Sequence, residues 1–482
     1  MLRPQTLILR LDQTAVSTLL QHPLLSHKPI QRRIHQTCYE TPDLKLAALG
    51  FSIEETRILR RTEITVRHAT QSWQAPTIAG AFDFSTLIDA PEVAESLQKI
   101  ASELVPIYSM DLRQRVWTVQ VRSAIVEVAL KEGTLSCGIA EPKISSGVCE
   151  LELSLVKGQE AALYGLGRLL SRQVKLHPIP IPLRQRALHC YRGDLPKPVK
   201  AGRIKLDPKD TPQAVFKQVA RECLDQLLAN ETGIFAPSNV EFIHQARVAL
   251  RRLRTALRLF SDALPPEFSN KWSQEWREVG EQLGNARNWD VFCSEMLPAI
   301  QADLGDHPEA VKLGEFAQTQ RTLAHAQTRQ WLEGRKYSLI LIAFSEALLT
   351  LGDQSNDRIE AFATKSLRKR YKKFCRGAQI AHTLSPEARH EVRIDLKKLR
   401  YALDFFESLY PQKQLQGFLK GLAETQELLG HMNDLVTGEL LLATRPNTPF
   451  DLPVAWARGR MSAYLEMLPS ALKPVLSTKV PW

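Results

Sequence analysis

Residues 244–258 read HQARVALRRLRTALR, one histidine and five arginines with no acid, within about four helical turns. Residues 390–404, HEVRIDLKKLRYALD, repeat the order of residue types. His244, Arg247, Arg251, Arg252 and Arg254 sit at offsets 0, 3, 7, 8 and 10, and His390, Arg393, Lys397, Lys398 and Arg400 reproduce those offsets 146 residues later. A second pair of motifs keeps the same spacing. Leu283-Gly284 opens LGNARNWD and Leu429-Gly430 opens LGHMND, each 39 residues beyond its histidine. Two motifs sharing one offset mark an internal duplication, with copies expected at residues 211–350 and 351–482.

On a helical wheel Arg247, Arg251, Arg254 and Arg258 fall on an arc of about 280–340° from His244. They border an apolar arc of Ala246, Leu250, Leu253, Leu257 and Phe260. In the second copy Val392, Leu396, Leu399, Leu403 and Phe406 form the apolar side, and Asp404 breaks the symmetry opposite Arg258. Ordinary solvated helix faces intersperse acids with bases for i,i+4 pairing, whereas the first stripe has none. Its like charges repel unless an anion relieves them. A stripe of about 14 residues is some 21 Å long, enough for several consecutive phosphates. Arginine forks and lysine charge suit phosphate oxygens, and His244 and His390 can donate to the same groups. The candidate polyanion-binding residues are therefore the ten offset-matched residues together with Arg258. Neither stripe presents base-stacking or base-reading groups beside its charge, so nucleic acid is not the expected partner. The stretch TKSLRKRYKKFCRG (364–377) adds seven basic residues, either as an extension of the track or as a local surface cluster.

Working outward, β-type alternation is absent after about Thr211, and long 3.6-period patterns alternate with breaks such as LPPEFSN, LGDQSND, TLSPEA and RPNTPFDLP. This half reads as all-helical. Helix starts are expected at Asp210 or Thr211 with Pro212, and at Ser385 with Pro386. Residues 196–210 lie in a Pro/Lys/Asp-rich stretch without apolar periodicity, expected as an interdomain linker. Before it, TLILRL, TEITVRH, RVWTVQVR, AIVEVAL and CELELSL read as strands, interrupted by helical pieces such as EAALYGLGRLLSRQ. Residues 1–195 therefore read as an α+β domain with a largely antiparallel sheet.

The net charge of +11 is shared almost evenly, with 25 Lys+Arg against 19 Asp+Glu in residues 1–200. Patterning rather than bulk charge carries the ligand expectation. Seven scattered cysteines without a CxxC pair argue against a zinc or redox motif and fit reduced thiols. No apolar run reaches the length of a membrane span, and Arg10, Asp12 and Gln13 interrupt the N-terminal apolar stretch. A soluble, cytoplasmic protein with no membrane partner is expected.

FIHQARVALRRLRTALRLF, RHEVRIDLKKLRYALDFF and the two LG segments resemble the conserved histidine α-helical domain (CHAD) family over residues 211–482. The resemblance implies two pseudosymmetric helical bundles whose basic surface binds inorganic polyphosphate, and a location at polyphosphate granules. TLILRL, YETPDLKLAALGFSI, DLRQRVWTVQV, VEVALKEGTL and CELELSLVKG are similar to the CYTH, or triphosphate tunnel, family. That resemblance implies an eight-stranded antiparallel tunnel in which basic residues hold a triphosphate and carboxylates hold Mg²⁺ or Mn²⁺. Here Thr6, Ile8 and Arg10 stand in place of the family's Glu-x-Glu-x-Lys strand, Glu54 and Thr56 in place of basic residues, and Lys131 in place of an acid. Arg67, Arg113, Arg115 and Arg186 are left as residual anion-binding candidates, and Glu127, Glu150 and Glu152 as residual metal candidates. The expected function is noncatalytic polyphosphate binding with no catalytic residue and no required cofactor. The alternative is a metal-dependent triphosphatase or polyphosphatase in the N-terminal domain, using Mg²⁺ or Mn²⁺.

Overall fold

The computed structural model describes residues 5–59, 61–69, 71–77, 80–139, 142–235, 239–352, 357–443, 450–478 and 480–482. The breaks at LGDQSND and RPNTPFDLP fall largely outside these residues. Among the described residues nine strands are formed: β1 Thr6–Arg10, β2 Ile30–Glu40, β3 Phe51–Ile58, β4 Arg61–His68, β5 Gln71–Pro76, β6 Val105–Val121, β7 Ala124–Cys137, β8 Ile144–Lys157 and β9 His177–Pro178. The helices of ten or more residues are α1 Pro91–Ile100, α2 Ala161–Leu170, α3 Leu183–Arg192, α4 Pro212–Phe235, α5 Glu241–Leu259, α6 Pro266–Val291, α7 Pro308–Leu332, α8 Arg335–Thr350, α9 Ile359–Ala378, α10 Pro386–Phe406, α11 Gln412–Leu442 and α12 Asp451–Ser477.

The chain folds as two compact units, residues 1–196 with 334–350, and residues 197–333 with 351–482. In the first, one antiparallel sheet runs in the order β5-β4-β3-β2-β6-β7-β8-β1-β9, eight strands of five or more residues and a two-residue ninth. Alternation along the strands divides its side chains between two faces. One face buries Leu7, Leu9, Trp117, Val128, Leu151 and Leu153 beneath α2. On the other, Tyr108, Met110, Leu112 and Leu135 pack against Leu183 and Ala187 of α3.

Helix α8 is a departure from the sequence reading. RKYSLILIAFSEALLT was expected to close the first helical copy, yet it packs on α2 within the sheet unit. Ile342 joins the core of Leu7, Leu9 and Leu166, and it lies 3.7 Å from where a Cβ on Gly167 would stand. Arg168 pairs with Glu346 at 2.5 Å, and the buried His177 Nδ1 is 2.8 Å from Ser338 Oγ. The physical reason is composition. A helix apolar on most sides must be covered on most sides, and periodicity does not say by which core. A fragment of residues 1–196 lacks this cover and is expected to aggregate, whereas the same fragment with residues 334–350 fused behind it should stay soluble and show a cooperative melt. Equal solubility of both would contradict the assignment.

In the helical unit, Thr211 Oγ1 accepts from the Ala214 amide at 3.2 Å and Ser385 Oγ from the Ala388 amide at 3.3 Å, so both expected starts are capped. Residues 197–210 form no regular element, but they are pinned to this unit. Val199 donates to Asn230, Gly202 to Glu222 and Leu206 to Ser408, and Ile204 and Leu206 are buried. This part of the chain is a packed strap rather than a free linker. All seven cysteines are free thiols, with Cys38, Cys137 and Cys223 buried. Among the described residues no helix is long and apolar enough to cross a membrane.

Candidate functional site

Helices α5 and α10 pack against each other and carry the two basic stripes. The apolar arcs anchor them: Ala246, Leu250, Leu253, Leu257 and Phe260 are buried, and so are Val392, Leu396, Leu399, Leu403 and Phe406. The bordering cations are thereby held half-buried and close together. Burial pushes Arg247 down to about 10, and Arg251, Arg287, Arg254 and Arg393 add to the shift. Lys397 is pushed down to about 6 by burial, then by Arg251 and Arg393, with Asp434 opposing. Burial likewise lowers Arg393, which has Asp434 opposing the shift and Arg251 adding to it. Cations from the two copies therefore share one field. Asp434 is the acid that offsets it, with its carboxylate 4.0 Å from Arg393. The Nε atoms of Arg251 and Arg393 and Nδ1 of His244 are buried without a hydrogen-bond partner, a condition that costs about 1–3 kcal/mol per group.

The histidines play different parts. Burial and then Arg287 hold His244 down at about 4, so it is neutral at physiological pH. His390 is exposed, and its Nδ1 lies 2.6 Å from Asn433 Oδ1, which makes that nitrogen the donor. Arg287 was not read as a site residue, although it sits inside LGNARNWD. At the repeat offset it corresponds to Asn433, so one copy carries a cation where the other carries the amide that orients a histidine.

The glycines of α6 have a steric role. A Cβ on Gly284 would come within 2.9 Å of Arg247 Nη1, and one on Gly280 within 3.2 Å of Arg254 Nη1. Arg247 also donates to the Gly280 carbonyl at 3.5 Å. Gly430, the second-copy equivalent of Gly284, has open space.

Two of the expected residues are not brought into the cluster. Arg252 is 3% exposed, donates to Gln226 Oε1 at 3.3 Å and lies over the Phe405 ring at 5.4 Å. Eight residues past His244 it points about 80° round the helix, away from the other arginines. Lys398, its counterpart, is 3.5 Å from Asp395, which also binds Lys373 at 2.9 Å. At the far end Arg254 is lowered by burial and then by Arg258 and Arg277, and Arg258 is exposed. Arg400 is half-buried beside Asp404, whose carboxyl burial pushes up to about 6.

The sheet unit arranges its charges otherwise. Strand register puts Glu150 between Lys131 and Arg10, Glu152 between Ala129 and Ile8, and Glu127 opposite Ser154, all on the face covered by α3. Lys131 pairs with Glu152 at 2.5 Å, and Arg186 of α3 pairs with the buried Glu150. Glu54, 2% exposed, bridges Arg67 at 2.7 Å and Arg184. Its carboxylate stands where an anion would have to lie between those arginines. Arg113 and Arg115 are out of phase with Lys131 and project from the opposite face, where Arg115 pairs with Glu132 at 2.8 Å. The residual candidates are thus divided between two faces and largely paired. Glu150 and Glu152, each tied to a cation, are a poor donor set for Mg²⁺ or Mn²⁺. Among the described residues, no group of three or more His, Cys, Asp or Glu is placed to hold a metal. Glu54→Gln strands two arginines and is expected to cost about 2–3 kcal/mol, less than a fully buried pair because both guanidiniums are partly exposed. Urea unfolding that shows no loss would contradict this pairing.

None of the curated proteins matches the chain. Among solved structures it is similar to the crystal structure of the CHAD domain from the plant Ricinus communis, at 28% identity and a TM-score of 0.52, covering 59% of this chain and 99% of that one. It is also similar to PptA from Streptomyces chartreusis (18% identity, TM-score 0.41, 56% of this chain and 98% of that one). A third is a putative adenylyl cyclase from Hippeastrum described as having a dominant triphosphatase activity (12% identity, TM-score 0.25, 39% of this chain and 96% of that one). The CHAD domain family model matches residues 218–443. That match falls on the segment that holds both basic helices, so it is residues 218–443 that match the CHAD domain.

Proposed function

We propose that the protein binds inorganic polyphosphate, without cleaving it, in the groove where α5 and α10 meet. The observation that carries this reading is the convergence of Arg247 and Arg251 with Arg393 and Lys397, in which burial and the neighbouring cations destabilise the protonated forms of Arg247, Arg393 and Lys397. A chain of phosphates supplies negative charge at short, regular intervals and relieves that repulsion all along the groove. The effective set is His244, Arg247, Arg251, Arg254, Arg258 and Arg287 from the first copy, with His390, Arg393, Lys397 and Arg400 from the second. Arg252 and Lys398 act in packing and local pairing. Titration with polyphosphates of defined length tests the reading. Affinity should climb with chain length until the groove is filled, then level off per site. Chains of tens of phosphates binding no tighter than orthophosphate would refute it.

For the sheet unit, the pairing of Glu54, Glu150 and Glu152 with cations supports a degenerate domain over a hydrolase. Tripolyphosphate incubated with the protein and Mg²⁺ or Mn²⁺ should release no phosphate above background. Turnover that disappears in Glu150→Gln or Glu152→Gln would establish the enzyme reading instead. Retention at polyphosphate granules follows if the groove reading is right.

A further inference from the structure

Beside the groove, a cavity of about 450 Å³ opens between the end of α6 on one side and α11 and α12 on the other. Its wall includes Phe292–Met296, a single π-helical turn that interrupts the first copy, while α11 of the second copy runs through as an α-helix. Such single turns are rare and recur at functional sites. A Cβ on Gly438 would come within 2.3 Å of Met296 Sδ, so a glycine is what lets α11 approach the π turn.

Phe292 and Met296 are buried in the wall, and His431, Trp456 and Tyr464 are half-buried around it. The His431 and Tyr464 rings stand 5.8 Å apart and tilted by 35°, so they are not stacked on each other. Trp456 is held in place by an Nε1 hydrogen bond to Asp303 at 2.7 Å, with Arg460 over its ring at 4.8 Å. Asp434 lines the same cavity and is the carboxylate 4.0 Å from Arg393 in the groove. Asp434 therefore joins the aromatic-lined cavity to the cations of the groove, and Glu295 and Arg460 also line the cavity. A carboxylate at that junction disfavours phosphate but accepts hydrogen bonds from sugar hydroxyls.

We propose that this cavity takes the base and sugar of a nucleoside triphosphate whose phosphate chain lies in the groove; the proposal rests on the groove reading above. The ligand's ring, hydroxyls and phosphates match the aromatic rings, Asp434 and the cations of the groove. The size suits a small-molecule site. Stacking on the aromatic rim supplies attraction that a bare phosphate chain lacks.

The test uses the full-length chain without divalent metal, titrated with adenosine triphosphate and with inorganic tripolyphosphate, which has the same number of phosphates and the higher charge. Adenosine triphosphate should bind about tenfold tighter, a gain within the range of one stacked base. Tyr464→Ala should abolish the advantage while tripolyphosphate binding is unchanged. His431→Ala serves as the second variant should the first fail to fold. Equal or weaker binding of the nucleotide, or an advantage that survives both substitutions, overturns the proposal and leaves the groove reading standing. If neither ligand binds, the groove reading fails with it.

Discussion

The triple variant Arg247→Ala/Arg251→Ala/Lys397→Ala is expected to bind long polyphosphate at least about a hundredfold more weakly than the wild type. Each charge-assisted contact is worth about 1.5–3 kcal/mol before screening. Discounting each to about 1 kcal/mol for partial exposure still leaves roughly two decades for three contacts. The dependence of affinity on salt should flatten by roughly two units of slope, because fewer counterions are released when fewer phosphates are neutralised. Stability should change in the opposite direction to that of ordinary core damage. Arg247 and Arg251 repel each other in the free protein and Lys397 is held there largely without its proton, so the melting temperature without ligand should hold or rise. A folded triple variant with wild-type affinity and salt slope would remove the groove from consideration.

The second large effect is on pH. Lys397 has a folded value of about 6 against an ordinary 10.5, set by burial and by Arg251, Arg393 and Arg247, with Asp434 opposing. Bound phosphate stabilises the protonated amine, so binding above pH 6 draws in a proton. Affinity should therefore rise as pH falls from 8 towards 6, by up to about tenfold per pH unit for one proton, and flatten below 6. His244, held near 4, adds a further step only in that lower range. The same shift acts on stability with a definite sign. Between about 6 and 10.5 the unfolded chain holds the Lys397 proton and the folded chain does not, so stability from this group is lost as pH falls through that window. Lys397→Met should accordingly abolish the pH slope of binding above pH 6 and raise the melting temperature at neutral pH. Calorimetry in buffers of different ionisation enthalpy measures the proton uptake directly; zero uptake at pH 7.5 would contradict this role for Lys397.

The helical half was legible because its signal is local. A 3.6-residue period, a capped start and a repeated motif each act within one helix, and the same arcs that read apolar in the sequence are buried in the fold. The inclusion of Arg252 and Lys398 came from matching offsets without following the angle. Eight residues is a rotation of about 80°, and burial against Gln226 and Phe405 follows from it. Arg287 was missed because it lies on a different helix, and only packing brings α6 beside α5. In the sheet the same limit appears as strand phase. Arg113 and Arg115 have the right chemistry for a tunnel, but register decides the face, and a one-residue offset puts them with Glu132 instead of Lys131. Helix α8 shows the longest-range version. Its apolar sequence is read easily as a helix, whereas its partner, the core of Leu7, Leu9 and Leu166, lies more than 160 residues away in the chain.

A structure of the protein with a polyphosphate of defined length bound tests the central claim most directly. The chain of phosphates should lie along the contact of α5 and α10, with its oxygens on Arg247, Arg251, Arg393 and Lys397. Phosphates ordered instead along the exposed basic face of α9, or on the α3-covered face of the sheet at Arg67, Arg184 and Arg186, with the α5–α10 groove empty, would contradict it.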